Sequence, residues 1–305
     1  MGKLLHKTLH FNREKFYSKI VAYLFVFPAF FVIAAVIIYP IIQSFVMSFQ
    51  QIDLLNYSQR EFVGLRNYIE IFKSPTFTRS LKLTLMFVAV VVPIQSFISL
   101  MISILLHRIK KGKTFFRAGL FVPYITSTVA VTMVFMRLFT KNGPLTLLFT
   151  KLGFANVTWF ANMKLAFPFL STLYIWKNFG FYVLLFMNGL NTISPELYEA
   201  AEMDGANGLR KFYHITLPML RPFLLLVLIT EMIDAFKVFD EIYVLSRGGS
   251  LGSPAGSMLT LVAYIYAQAF RYNNLGYGAA SSVVLLVFVW LVTTVLRRSF
   301  SDEIS

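Results

Sequence analysis

Four stretches of this chain run without a charged residue for as long as a helix needs to cross a lipid bilayer. No charge lies between Lys19 and Asp53, Lys82 and Arg108, Arg117 and Arg137, or Arg271 and Arg297. A spanning helix takes about 20 predominantly apolar residues. Buried helices of a water-soluble core would show polar faces at 3.6-residue spacing, which these segments lack. A porin-like barrel would show spans of about ten residues with alternating polarity, whereas Val21 to Ile42 is one long, almost wholly apolar run. Only 14% of the 305 residues are charged, against about a quarter in soluble domains. The expected fold class is all-α: a polytopic membrane protein with kinked spans.

Several chemistries are excluded by the residues present. With zero cysteines, the chain has no disulfide, thiol nucleophile or cysteine-ligated metal. His6, His10, His107 and His214 are scattered and form no HExxH motif, so neither a metal site nor a catalytic residue is expected. A formal net charge of +14 could point to nucleic acid in a soluble protein. In so apolar a chain it is read as facing anionic lipid headgroups, with no nucleic-acid partner.

The expected spans are Ile20 to Ile42, about Leu83 to Leu106, about Ala118 to Met136, Leu165 to Leu190, a fifth beginning at Phe223, and about Tyr277 to Leu296. The first is too long for a signal-peptide core and is not closed by an AxA-like cleavage site, so it is expected to remain as a span. Pro28, Pro93 and Pro123 are expected to kink their helices without ending them, because neighbouring helices can satisfy the freed carbonyls. The fifth span is the least obvious, since Thr230 and Glu231 interrupt its apolar run and Asp234, Lys237 and Asp240 follow.

Charge placement sets the orientation. With a cytoplasmic N-terminus, the inner segments 1–19, 107–117, 191–221 and 297–305 carry 15 Lys or Arg, and the longer outer segments 43–82, 137–164 and 241–276 carry 11. The short basic connection at 107–117 and the pair Arg297 and Arg298 place both termini in the cytoplasm. Leaving out the fifth span would put that pair outside. The expected organisation is a cytoplasmic segment 1–19, a six-span permease domain 20–296 and a cytoplasmic tail 297–305.

The connection at 196–222 carries the most information. Ser194 can cap a helix with Pro195 at its first position, and Glu196 and Glu199 suit its positive end. Asp204 and Gly205 mark a turn, and Gly208 to Ile215 is expected to form a second short helix ending before Pro218. By physics alone this element is either a docking surface for a cytoplasmic partner or an interfacial segment lying on headgroups. The stretch EAAEMDGANGLRKFYHITLPMLRP, Glu199 to Pro222, resembles the EAA motif of importer permeases of the ATP-binding cassette class. The stretches FVGLRNYIEIF at 62–72, KTFFRAGLFVP at 113–123 and FKVFDEIYVLSRGG at 236–249 resemble the maltose-type, carbohydrate-importing branch in its short six-span form.

That resemblance implies a coupling element at 196–218 that sits in a cleft of an ATPase subunit. Its contacts by motif position are Glu199, Ala200, Ala201, Asp204, Gly205, Ala206, Ile215, Leu217 and Pro218. It also implies a second homologous permease subunit, two ATPase subunits, an extracellular solute-binding protein and a carbohydrate substrate, in a bacterial or archaeal cell membrane. The chain contains no GxxxxGK[ST], so no cofactor is expected on it, and ATP and Mg2+ belong to the partner ATPases. The stretch GGSLGSPAG at 248–256 is expected to be a flexible external loop or a contact for the binding protein.

Charged side chains at membrane depth normally face protein or a water-filled path. Lys177 lies in YIWKNFGFY, where Tyr174, Asn178 and Phe181 share one helical face and Lys177 lies beside it. Glu231, Asp234 and Lys237 follow at three-residue steps. These residues, with Tyr124 after Pro123, are the candidate substrate path, with rings to face sugars and polar groups to meet hydroxyls. Against that stands a structural reading in which Lys177 pairs with Glu231 or Asp234 simply to hold helices together. An ion-coupled secondary carrier using Glu231, Asp234 and Lys177 is the rival mechanism. It has no visible inverted repeat and leaves the EAA element unexplained. A polytopic membrane enzyme would need a catalytic constellation that the connections lack.

Overall fold

The computed structural model describes residues 21–56, 60–109, 111–246 and 249–301. The termini that the sequence assigns to the cytoplasm, 1–19 and 302–305, lie outside the described residues. Helices Val21–Met47 (α1), Pro75–Arg108 (α3), Ala166–Asn191 (α7) and Leu275–Ser301 (α13) are each long and apolar enough to cross a membrane. Lys113–Ile125 (α4) and Thr128–Leu138 (α5) would do so only together, bent by 95°.

Proline chemistry explains much of the helix geometry. In α1 a π turn at Ala34–Ile38 precedes Pro40, with the Tyr39 N–H reaching back to the Ala34 carbonyl. The wider turn absorbs a ring that an α-helix would not accommodate there. Pro93 lies inside an unbroken α3, as expected. Pro123 does not behave as the sequence suggests: α4 ends two residues later at Ile125, and Thr126 is extended with ψ 144. The proline leaves the Gly119 carbonyl without its N–H partner, and the Thr126 hydroxyl bonds the Val122 carbonyl at 2.7 Å, closing the helix end. The third predicted span is therefore two helices bent sharply at Thr126, the geometry of a broken span or of a re-entrant loop.

The predicted connection 43–82 is also more structured than its charge suggests. Strands Gln50–Ile52 (β1) and Arg60–Phe62 (β2) pair antiparallel with Gln50 opposite Phe62, and Arg66–Lys73 forms α2. The buried Asn67 amide donates to the Ser48 and Gln50 carbonyls at 2.9 and 3.0 Å, tying α2 to the ribbon. Ser74 then caps α3 through the Phe77 amide, with Pro75 in the first turn. This start lies eight residues ahead of the predicted Leu83, because a cap and an N-terminal proline outweigh the charges of Arg79 and Lys82. At 34 residues α3 is about 50 Å long, well beyond the roughly 30 Å hydrocarbon layer.

Beyond α5, Pro144–Lys151 (α6) and a short 3-10 turn at Trp159–Ala161 lead into α7. The centre of the molecule is α7, whose Phe169, Leu170, Leu173, Val183, Phe186 and Met187 are all buried. It packs against α3, α4 and Arg221–Phe236 (α10). At Gly180 an added side chain would meet the Leu120 carbonyl of α4, so only glycine permits this approach. The fifth expected span corresponds to α10, a 16-residue helix of about 24 Å. Its charged residues Glu231 and Asp234 lie inside the helix and do not end it.

The region after α10 is folded into the core. Asp240–Ser246 (α11) and Leu261–Tyr266 (α12), the latter continued by a π turn at Ala267–Arg271, flank a segment in which Leu251, Met258 and Thr260 are buried. The Thr260 hydroxyl donates to the Val238 carbonyl at 3.1 Å, and the Leu261 amide donates to Thr84 at 2.8 Å. The glycine-rich stretch from 249 is thus packed, and the flexible-loop expectation is corrected there. At Gly252, with φ +73, a side chain would meet Leu259. Most of α1 is exposed, Tyr23 and Phe25 at 75% and 80%. Only its final turns touch α13, where Ser44 and Ser282 hydroxyls lie 3.3 Å apart.

Candidate coupling element and membrane-embedded polar groups

Two places in the fold carry the candidate functional residues. The first is the hook between α7 and α10. Ser194, extended at ψ 131, accepts the Glu196 amide at 3.3 Å and starts Pro195–Met203 (α8). Asp204 ends that helix, and Gly205 takes φ +74, a left-handed conformation that disfavours any side chain. The Ala206 amide returns to the Ala201 carbonyl at 2.8 Å. Asn207 then caps Gly208–Lys211 (α9) by accepting the Arg210 amide at 2.9 Å.

The second half of the hook continues past its predicted end. A π turn at Phe212–Thr216, closed by the Leu217 amide on the Phe212 carbonyl, leads into Leu217–Met219. Pro218 therefore falls in the first turn of a resumed helix, where a missing N–H costs nothing. Two contacts hold the halves together: Lys211 pairs with Glu202 at 2.5 Å, and the Tyr198 and Thr216 hydroxyls lie 2.9 Å apart. Ile215 packs toward the core cluster of Phe186 and Leu220.

Of the residues carried over by motif, Glu199, Ala200, Asp204, Gly205 and Pro218 are exposed, and Ala201, Ala206, Ile215 and Leu217 are half-buried. The motif does not single out Met203 and Leu209, which flank the turn at 90% and 71% exposure. Large apolar side chains at the tip of a polar turn are the signal that could have found them, since such a patch marks a contact surface.

The second place is the membrane-embedded polar set, which the structure divides into three. Tyr124 of α4 stacks on Phe181 of α7 with ring centres 4.7 Å apart and planes at 11°, and the buried Lys177 ammonium lies 5.8 Å from the Tyr124 ring centre. Glu241 of α11 lies within Coulombic reach of Lys177. Asp234 accepts the Tyr182 hydroxyl at 3.2 Å and pairs with Lys237 at 3.2 Å. Glu231 is fully buried and accepts the Ser96 hydroxyl of α3.

Among the described residues, neither Glu231 nor Asp234 forms an ion pair with Lys177, whose neighbours are an aromatic face and Glu241. Sequence spacing could not find Glu241 or Ser96, which reach the set from other elements. Tyr174 is buried edge-on against Phe87 at 5.3 Å, and the Asn178 amide bonds the Tyr174 carbonyl at 2.8 Å. The second Glu231 oxygen and both polar atoms of Gln95 are buried, and the Gln95 amide lies within hydrogen-bonding reach of the Glu231 carboxylate. Among the described residues no cluster of His, Asp or Glu suits a metal ion.

Long apolar helices around a buried core, with an exposed capped hook between two of them, define an integral-membrane transport component. The chain belongs to the family described as binding-protein-dependent transport system inner membrane component, whose model matches residues 68–301. It is a permease subunit of an ATP-binding cassette importer. It is 37% identical, over 95% of its length and 93% of the relative's, to the arabinooligosaccharides transport system permease protein AraP of Bacillus subtilis. The trehalose/maltose transport system permease protein MalF of Thermococcus litoralis is 32% identical, over 92% of this chain and 93% of that one. In fold it matches a bacterial ABC transporter involved in the import of the acidic polysaccharide alginate, with TM-score 0.81 and 18% identity, over 95% of this chain and 98% of that one.

Proposed function

We propose that the chain conducts an oligosaccharide-type carbohydrate across the cell membrane. In this reading it pairs with a second permease subunit, receives solute from an extracellular binding protein and is driven by two ATPase subunits. ATP and Mg2+ are handled on those partners, and this chain makes no chemical bond. The single observation that carries the reading is the hook at 194–219. It is exposed, capped at both helix starts, turned by a left-handed glycine and tipped by Met203 and Leu209.

The proposed topology has six crossings, with the bent α4–α5 pair and the short α10 as the third and fifth, and both termini cytoplasmic. The domain limits are 1–19, 20–296 and 297–305, with the coupling residues within 196–218. ATPase closure pulls on the Asp204–Gly205 turn and shifts the helix packing between two states, opening the path outward; hydrolysis resets it. The proposed path groups are Tyr124, Tyr174, Lys177, Asn178, Phe181, Glu231 and Asp234. The stacked Tyr124–Phe181 pair offers aromatic surface for a sugar ring.

The test is Gly205→Leu in the reconstituted complex. A Cβ at Gly205 meets nothing within 4 Å, so the substitution strains only the turn, by about 1–2 kcal/mol. ATP hydrolysis is expected to continue while solute uptake is lost and the complex remains assembled. Uptake at the parent rate would remove the coupling role.

A further inference from the structure

A cavity of ≈ 830 Å³ opens between the end of α3 and the inner side of the hook, and its two ends differ in chemistry. Along α3 the wall is Phe97, Met101 and Ile104, with Phe97 63% exposed to the surroundings of the helix bundle. At the other end stand His107, Arg108 and Lys211. Glu202 is the one acid in the lining, and its charge is met by Lys211. Lys113 and Arg117, at the start of α4, add positive charge within Coulombic reach of His107. The Arg117 Nε is buried with no hydrogen-bond partner.

The residues 97, 101, 104 and 108 lie three or four apart and so share one face of α3. From Phe97 to Arg108 that face rises about 16 Å, from the apolar part of the helix to its basic end. A groove that is apolar along one end and cationic at the other complements a phospholipid, chain against the wall and phosphate among the cations. Guanidinium groups suit phosphate by geometry as well as charge. A zwitterionic headgroup would bring its own cation against the same basic cluster, so the favoured lipid carries net negative charge.

We propose that this cavity binds one anionic phospholipid, its phosphate held by Arg108 with the charge of Arg117 beside it, and an acyl chain lying along Phe97, Met101 and Ile104. The opposite wall is the inner side of the hook, including Tyr198 and Phe212, so the bound lipid braces the coupling element from within the bilayer. The orientation proposed above decides only the leaflet; the lipid chemistry does not rest on it.

The test uses the intact complex in nanodiscs of mixed phosphatidylglycerol and phosphatidylcholine, with retained lipid counted by native mass spectrometry. Phosphatidylglycerol is expected to be retained over phosphatidylcholine. Its retention should fall about tenfold in the double variant Arg108→Gln, Arg117→Gln, the size of one lost charge-assisted contact. Met101→Trp, which fills the apolar wall and leaves every charge in place, should displace the lipid as well, and it carries the test if the arginine variant does not assemble. Lys151→Gln, at the end of α6, should change nothing. Equal retention of the two lipids, or undiminished retention in the Met101 variant, overturns the proposal. So does release of the lipid by inorganic phosphate, which identifies a free-anion site, or a crosslink from Phe97→Cys to a partner subunit, which identifies a protein contact.

Discussion

The hook at 194–219 and the polar groups around α7 are built on opposite principles. Most of what shapes the hook is local: Ser194 and Asn207 cap helices within three residues of themselves, Gly205 bends the chain by its own φ, and the longest hydrogen bond between its halves, Tyr198 to Thr216, spans 18 positions. The polar set is assembled from distant parts of the chain. Glu231 meets Ser96 across 135 positions, Asp234 meets Tyr182 across 52, and Lys177 sits over a ring from α4. A locally determined element can stay exposed and be handed to a partner without loss of shape. A set assembled from several helices holds its geometry only while those helices stay packed.

If that contrast is right, substitutions in the helix packing should cost far more than those in the hook. The largest effect is expected for Gly180→Val, whose side chain would run into the Leu120 backbone. A backbone obstacle cannot turn away as a side chain can, so the loss should be about 3 kcal/mol or more, seen as a collapse of the thermal unfolding midpoint in detergent. A stable Gly180→Val protein would mean that α4 and α7 are not held this closely.

Next comes Glu231→Ala, which leaves the buried Ser96 hydroxyl without its acceptor and is expected to cost about 2 kcal/mol. Glu231→Gln keeps an acceptor oxygen and should cost less. Measuring uptake beside assembly sharpens the result: a transport defect larger than the assembly defect places Glu231 on the path, and the reverse places it in helix packing alone. The smallest effect belongs to Ser194→Ala. It removes one exposed cap and should cost about 1 kcal/mol, confined to faster hydrogen exchange in the first turn of α8.

The hook was legible in the sequence because caps, prolines and turn glycines act over three or four residues. Its one misreading, an end before Pro218, came from treating proline as a stop when a π turn let the helix resume. The same rule failed in the other direction at Pro123, where the helix ends two residues on, the Thr126 hydroxyl bonds the Val122 carbonyl, and the next helix departs at 95°. Whether a proline kinks or terminates a helix depends on how its surroundings satisfy the backbone around it, and sequence alone does not assign those partners. The stretch from 249 misled for a related reason. Gly, Ser and Pro read as a loop, yet Gly252 is small because Leu259 packs against it.

By itself, the sequence determined that this chain enters a membrane as helices and carries a capped helix–turn–helix hook, because charge-free length and local capping are properties of neighbouring residues; the hook's EAA character came from resemblance. The spatial grouping of the membrane-embedded polar residues was decided only by the tertiary structure. Helical spacing puts Lys177 near the face of Tyr174, Asn178 and Phe181, but says nothing of Tyr124, Glu241 or Ser96, which arrive on other helices. The physical reason is that a charge buried in hydrocarbon takes its partners from whatever the packing brings to it, and packing couples residues far apart in the chain.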